Sequence, residues 1–369
     1  MEERMTVVIF VTSVYELPNS GPATFAKILS ESFHDSEIKF IIVTSDAINT
    51  ADDLVVIRRP KSSVALYFQL WRKAKEIAAF YKDDYVIIHY NNSFPYAAFG
   101  TFGDRTILQM NDYYNIRLPY ISFLHGSIRR SFAHIFRKLT ERLSIHHSDV
   151  VLCNSRHTQN EAIGYYKGQH QKFRLLYKSI DDADLGIKTI DEPSGEILYI
   201  GNDLKLKGFD ILAEALKSTS RVQKLHIAGP AANNPLLNQL LLHVPQHIAI
   251  VKHGALTHKE LYALSPNLDM LVLPARYEAL GVSVIECLAQ GLPVLTSGVG
   301  GLMEILEEYP AEFYSASNLK PSILASNIDL ILENYKYFYT AVKERIPTIR
   351  NKFEKRKMTN YLKTLYLER

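Results

Sequence analysis

The chain has 369 residues, too many for one hydrophobic core of ordinary size and well suited to two domains. Apolar residues make up 47% and charged ones 22%, which excludes long disordered spans. With 42 basic against 39 acidic side chains, bulk charge gives no reason to expect a nucleic-acid binder.

The N-terminal run Val7–Val11 is short and followed by polar residues, so Thr6–Thr12 reads as a first buried strand and not as a signal peptide. The loop ELPNSGPATF follows, with Gly21 where a helix opens; glycine allows close backbone approach to a sugar or phosphate. Further strands are predicted at Lys39–Thr44, Leu54–Ile57, Tyr85–His89, Thr106–Met110, Ile121–Leu124 and Val150–Cys153. His125 stands directly behind the sixth of these. A charged stretch without apolar period, Lys178–Gly195, marks a break. Strands resume at Ile197–Ile200, Lys224–Ala228, Ile248–Lys252, Met270–Leu273 and Pro293–Thr296, and from Pro321 onward the chain is helical. Continuous Val/Ile-rich runs separated by helices predict parallel sheets covered on both faces. Two such sets predict two doubly wound domains, an α/β architecture. Ligands of such sheets bind at the carboxyl ends of the strands, so a cleft between those ends is the expected site.

The two cysteines, Cys153 and Cys287, lie in apolar runs and read as buried free thiols of a reducing compartment. They make no metal-ligand spacing with the histidines. No run approaches the roughly 20 apolar residues that span a bilayer. The expectation is a cytoplasmic protein, or one held peripherally on the inner face of the cytoplasmic membrane. The segment Ile128–Ser144 bears on the second option. Ile128, Phe132, Ile135, Phe136, Leu139 and Leu143 form an apolar stripe at helical spacing, and Arg129, Arg130, Arg137, Lys138 and Arg142 face only Glu141 in opposite charge. An ordinary core helix and a surface drawn to anionic lipid headgroups both fit.

The segment Leu273–Gly301, LPARYEALGVSVIECLAQGLPVLTSGVGG, is the richest in chemistry. A strand ends at Leu273–Pro274, a helix starts near Gly281, and Gly291 with Pro293 terminates it. The amides of Ala279, Leu280, Gly281 and Val282 are then free donors of a helix N-terminus, suited to a diphosphate. Glu286 lies about 7 Å further along the axis, where a carboxylate accepts two ribose hydroxyls. The spacing of Glu278 and Glu286, followed by Gly291–Leu292–Pro293–Val294 and Gly300–Gly301, resembles the E-x7-E signature of retaining glycosyltransferases of family 4. The competing reading of Glu286 is a plain helix-surface carboxylate.

This resemblance covers nearly the whole chain and implies the two-Rossmann-domain GT-B fold. It places an acceptor-side domain at residues 1–180 and a nucleotide-sugar domain at 181–344, with a closing helix within 345–369 crossing back. It matches Lys207 to the lysine on the donor diphosphate, and puts Asn202 where the family has an arginine, with Lys205 as a candidate substitute. It matches Gly254, Ala255 and Leu256 to the turn whose backbone holds the base. It matches Gly21 to one of a usual glycine pair, and His125 to the histidine beside the transferred sugar. The family's P-N-G-x-D before the linker is replaced by Tyr177–Lys178–Ser179–Ile180–Asp181.

The resemblance therefore implies a retaining hexosyltransferase that uses a nucleotide diphosphate sugar, most naturally a UDP-sugar, with Glu278 on the sugar and His125 at the reacting centre. No metal is expected. The acceptor would be a glycan or lipid-linked sugar of cell-surface polysaccharide or lipopolysaccharide synthesis. The alternatives are a non-catalytic nucleotide-sugar-binding relative, which the loss at Asn202 would permit, and a GT-B epimerase or phosphorylase. Asp182–Ala183–Asp184 has the form of a metal-binding D-x-D but lies in the linker, where it reads as a decoy.

Overall fold

The computed structural model describes residues 4–16, 21–34, 36–47, 52–91, 96–111, 131–180, 185–189 and 192–369. Its contacts divide the chain into two compact units, Met1–Ser179 with Lys355–Arg369, and Ile180–Glu354.

The first unit holds a parallel sheet of β1 (Thr6–Val11), β2 (Ile38–Thr44), β3 (Leu54–Val56), β4 (Tyr85–Asn91), β5 (Arg105–Met110), β6 (Val150–Cys153) and β7 (Phe173–Leu175), in the order β3-β2-β1-β4-β5-β6-β7. Its helices are α1 (Gly21–Phe33), α2 (Ser63–Phe80), α3 (Ser131–His147) and α4 (Arg156–Tyr165). Every residue of β1 is buried, because alternate side chains enter different cores. Val7, Ile9 and Val11 pack with Leu66, Leu70 and Trp71 of α2. Val8 and Phe10 pack with Phe25 and Leu29 of α1. Burying such a side chain contributes about 1.5–3 kcal/mol, so both faces of β1 stabilise the unit.

The second unit holds β8 (Glu196–Ile200), β9 (Lys224–Ala228), β10 (Ala249–Gly254), β11 (Met270–Leu273) and β12 (Val294–Thr296), all parallel, in the order β10-β9-β8-β11-β12. The helices are α5 (Phe209–Ala215), α6 (Pro235–Leu241), α7 (His258–Leu264), α8 (Val282–Ala289), α9 (Met303–Leu306), α10 (Pro321–Glu333), α11 (Tyr335–Lys343) and α12 (Ile346–Lys352). Buried Asp269 ties the starts of β8 and β11 together by accepting from the amides of Ser194 and Glu196. The strand order reverses at β8 and β11, so the carboxyl ends of these two strands flank the switch point where α/β sheets bind ligands.

The last helix, α13 (Lys355–Leu367), belongs to the first unit. Met358, Leu362, Leu365 and Tyr366 enter the core that holds Val8 and Phe10. Tyr366 bonds His89 Nδ1 at 2.6 Å, and burial pushes the His89 imidazole down to about 3, so it stays neutral.

Two sequence expectations change. The short edge strand β7 was not anticipated, because Phe173–Leu175 is only three residues long with Arg174 at its middle. The helix expected at Ile128–Ser144 runs three residues further, to His147, and the described residues of its apolar stripe are not core. Ile135, Leu139 and Leu143 are 55%, 57% and 44% exposed, while Thr140, Glu141, Ser144 and Ile145 are buried. The polar residues are buried because they have partners: Tyr166 donates to Glu141 Oε1 at 2.5 Å, and Tyr96 donates to the Ser144 carbonyl at 2.8 Å. Cys153 and Cys287 are both buried and free. His125, the strand predicted at Ile121–Leu124, Ile128–Arg130, and the acidic triplet Asp182–Asp184 lie outside the described residues.

Candidate functional site

The turn after β8 carries the lysine. Asp203 Oδ1 accepts from the amides of Lys205 and Leu206, and its carbonyl accepts from Lys207, so the chain doubles back toward β11. Gly208 closes the turn at φ 73°, and a Cβ there would stand 1.9 Å from the Pro274 carbonyl oxygen. Only glycine lets this turn rest on the end of β11. Lys207 Nζ thereby reaches Glu278 Oε2 at 2.5 Å, with side chains 17% and 14% exposed.

Glu278 lies between β11 and α8, and its carbonyl accepts from Gly301 at 3.0 Å. Gly281 caps α8 in the left-handed conformation with no side-chain cap. Its carbonyl takes the amides of Val284 and Ile285, so the amides before them remain as donors of the helix start. Ala279, Leu280 and Gly281 are buried, and Val282 is half-buried.

Glu286, on the second turn of α8, is 3% exposed. His258 Nδ1 and Tyr262 OH both bond its Oε1, at 2.7 and 2.9 Å. Its Oε2 accepts no hydrogen bond among the described residues. The carboxylate is therefore fixed by one oxygen and open at the other. A carboxylate buried and held in this way is not a solvated surface group. His258 and Tyr262 escaped sequence reasoning, although they stand one helical turn apart in α7. The signal was present in the capping box of Thr257 and Glu260, which the structure contains and which fixes where α7 begins.

Gly254 ends β10 at φ 71°, and its carbonyl accepts from Gly229 at 2.7 Å. Ala255 is exposed and Leu256 half-buried, so the turn between β10 and α7 stands at the surface of the unit. It belongs to the same carboxyl edge as the lysine turn and the start of α8.

Asn202 is exposed, and its side chain makes no hydrogen bond among the described residues. Arg276 does not supply the missing cation. Its guanidinium forks onto Asp210 at 2.7 and 2.8 Å and also donates to the Lys205 carbonyl, so its charge is already neutralised. Lys205 forms no ion pair among the described residues and is the cation left over. Gly21, in the first unit, opens α1 beside a lysine: a Cβ on it would lie 2.9 Å from the Lys178 ammonium. Thus Lys207, Glu278, Ala279–Val282, Glu286 and Gly254–Leu256 share one edge of the second sheet, while Gly21 belongs to the first unit. Among the described residues no group of three or more His, Cys, Asp or Glu could hold a metal ion.

This carboxyl edge, with a lysine, an open helix start and a held carboxylate, lies at the switch point where open α/β sheets bind their ligands. Residues 181–346 match the family described as "Glycosyl transferases group 1", and residues 19–184 match "Glycosyltransferase Family 4". Among curated proteins, an uncharacterized glycosyltransferase of Methanocaldococcus jannaschii is 25% identical over 60% of this chain and 62% of its own length. The match thus spans under two thirds of that relative. Among solved structures, the sucrose-phosphate synthase of Thermosynechococcus elongatus superposes with a TM-score of 0.77 at 16% identity, covering 98% of both chains. The Anabaena protein HepE, solved with UDP and glucose, superposes with 0.72 at 15% identity, covering 98% of this chain and 99% of its own. The chain belongs to glycosyltransferase family 4 and has the two-domain GT-B fold.

Proposed function

We propose that the protein is a retaining glycosyltransferase that moves a hexose from a UDP-sugar to a glycan or lipid-linked acceptor in cell-surface polysaccharide or lipopolysaccharide synthesis. The observation that carries this reading is Glu286, buried, oriented by His258 and Tyr262, and open at Oε2 for ribose hydroxyls. Lys207 and the amides of Ala279–Val282 hold the diphosphate, Glu278 contacts the sugar, and the backbone of Gly254–Leu256 holds the base. His125 is assigned to the reacting centre from the family resemblance. Lys207 then stabilises the charge that develops on the departing phosphate, which attacks no carbon itself but assists front-face attack by the acceptor, without a metal. The UDP reading is supported by HepE, whose structure holds UDP and glucose.

The test is thermal stabilisation across nucleoside diphosphates and their sugars. A ligand at a hundred times its Kd stabilises by about 2.7 kcal/mol, so UDP and one UDP-hexose should raise the Tm above every other base. If no nucleotide shifts it, the donor reading is wrong. The anomeric configuration of the product, read by NMR, tests retention.

The exposed stripe of α3 fits a membrane contact in the same reading. Ile135, Leu139 and Leu143 stand at successive helical turns toward solvent, Arg142 beside them forms no ion pair among the described residues, and the acid of the helix, Glu141, is turned inward. Among the described residues no helix is long and apolar enough to cross a membrane. Arg142→Ala should weaken binding to anionic vesicles at low salt by about fivefold, the worth of one cation near such a surface. Equal wild-type binding to neutral and anionic vesicles would remove the electrostatic part of the proposal.

A further inference from the structure

A buried ammonium stands in the second unit, apart from the carboxyl edge. Lys188 is 1% exposed and forms no ion pair among the described residues. A charge taken out of water without a counter-ion is costly, and burial pushes the Lys188 ammonium below its ordinary range, against a smaller upward pull from Asp269. Its Nζ donates to the Pro266 carbonyl at 3.3 Å and lies 5.7 Å from the centre of the Tyr335 ring. Its amide donates to the Gln290 carbonyl at 2.7 Å, and its own carbonyl accepts from Tyr339 OH at 2.7 Å.

The first two partners are helix ends. Pro266 lies in the 3-10 turn Ser265–Asn267 that continues α7, and Gln290 is the C-cap of α8. Carbonyls at such ends lack intrahelical donors, and a cation beside them is favourable. Lys188 therefore fastens the C-terminal ends of α7 and α8 to one point, and Tyr339 holds that point from α11. The same two helices meet again at Glu286, which bonds His258 and Tyr262 of α7. Pro266 follows Tyr262, and Gln290 follows Glu286, by about one helical turn. Gln290 Nε2 also reaches back to the Glu286 carbonyl at 3.2 Å. Neither Ser265 Oγ nor Gln290 Oε1 has a hydrogen-bond partner, although both residues are fully buried. The side chains of the helix ends thus do not join them, and Lys188 does. A lysine is not needed to fill this space, since exchanging a buried charge for an apolar side chain of similar volume is often neutral or stabilising. What the lysine adds is a directed bond.

We propose that Lys188 is a positioning residue for the donor: by tying the end of α7 to the end of α8 it sets His258 and Tyr262 against Glu286, and so holds Glu286 Oε2 where the ribose meets it. This rests on the reading of Glu286 as the ribose carboxylate and adds the residue that fixes its place.

The test uses Lys188→Met, which keeps an unbranched chain and removes the ammonium. Tm and the affinities for UDP and 2′-deoxy-UDP, by calorimetry, are measured on the full chain. Tm should be unchanged or raised, while UDP affinity falls about threefold to tenfold, the range for groups coupled through a shared network, and the preference for UDP over 2′-deoxy-UDP narrows. In a Glu286→Ala background, Lys188→Met should leave UDP affinity unchanged, because the residue it acts through is gone. A merely structural role would weaken UDP binding alike in both backgrounds. Lys188→Gln ends one bond short of Pro266 and should narrow the preference in the same way, so it decides the matter where Lys188→Met does not fold. The proposal is overturned if the variant keeps the wild-type preference, or if it weakens UDP binding as much without Glu286 as with it. Failure of the ribose reading shows separately, as a wild type that binds UDP and 2′-deoxy-UDP alike.

Discussion

Lys207→Ala should lower kcat/KM for the sugar donor by about two to three orders of magnitude, the usual cost of removing one group that stabilises developing charge in a closed site. Two effects add. The variant loses the cation proposed to meet the diphosphate, and it leaves Glu278 as an unpaired carboxylate, 14% exposed, where that phosphate would approach. The contact between Lys207 and Glu278 has a second consequence of opposite sign. With no donor bound, Glu278 is the counter-charge of Lys207, and a diphosphate must displace it. Glu278→Gln therefore frees the lysine. It should bind UDP more tightly than wild type by a few-fold while sugar transfer falls, because the contact proposed between the glutamate and the sugar is lost. Calorimetry with UDP, beside steady-state rates, separates the two variants. If Lys207→Ala retains wild-type affinity for UDP, the lysine is not on the diphosphate. If Glu278→Gln weakens UDP binding, the ion pair is a scaffold for the site and not a placeholder.

The second sheet was largely legible because most of its strands are short apolar runs ended by glycine, proline or a polar turn, and nothing in tertiary context overrides that pattern. The carboxyl-edge turns were legible for the same reason, since Gly208, Gly254 and Gly281 take positive φ where the sequence shows a glycine between a strand and a helix. Side-chain partners were not legible. The pairing of His258 and Tyr262 with Glu286 joins residues 28 and 24 positions apart on different helices, and no local periodicity encodes it. The fork of Arg276 onto Asp210, 66 positions away, is hidden in the same way, and it answers whether that arginine replaces the one missing at Asn202. In α3 the hydrophobic period gave the helix but not its orientation. Glu141 and Ser144 are drawn inward by Tyr166 and Tyr96, which lie outside the helix, and Ile135, Leu139 and Leu143 of the apolar stripe are turned out.

Glu286→Ala should reduce affinity for UDP by about a hundredfold. A carboxylate that accepts two hydroxyls makes charge-assisted bonds of about 1.5–3 kcal/mol each, and part of this returns through water. The variant also removes the acceptor that Tyr262 OH and His258 Nδ1 bond, so its Tm should fall as well. Loss of affinity alone would then not distinguish a missing ribose contact from a loosened site. The ligand supplies the distinction. Wild type should bind 2′-deoxy-UDP or 3′-deoxy-UDP about tenfold or more weakly than UDP, because a buried carboxylate oxygen then goes unmatched. Glu286→Ala should bind UDP and the deoxy forms alike, since no acceptor remains to tell them apart. Tyr262→Phe removes one of the two bonds that fix Oε1 and keeps the carboxylate. It should weaken UDP binding only a few-fold and preserve the discrimination. If Glu286→Ala still discriminates the deoxy nucleotides as wild type does, the ribose is read elsewhere, and the buried carboxylate serves only to join α7 to α8.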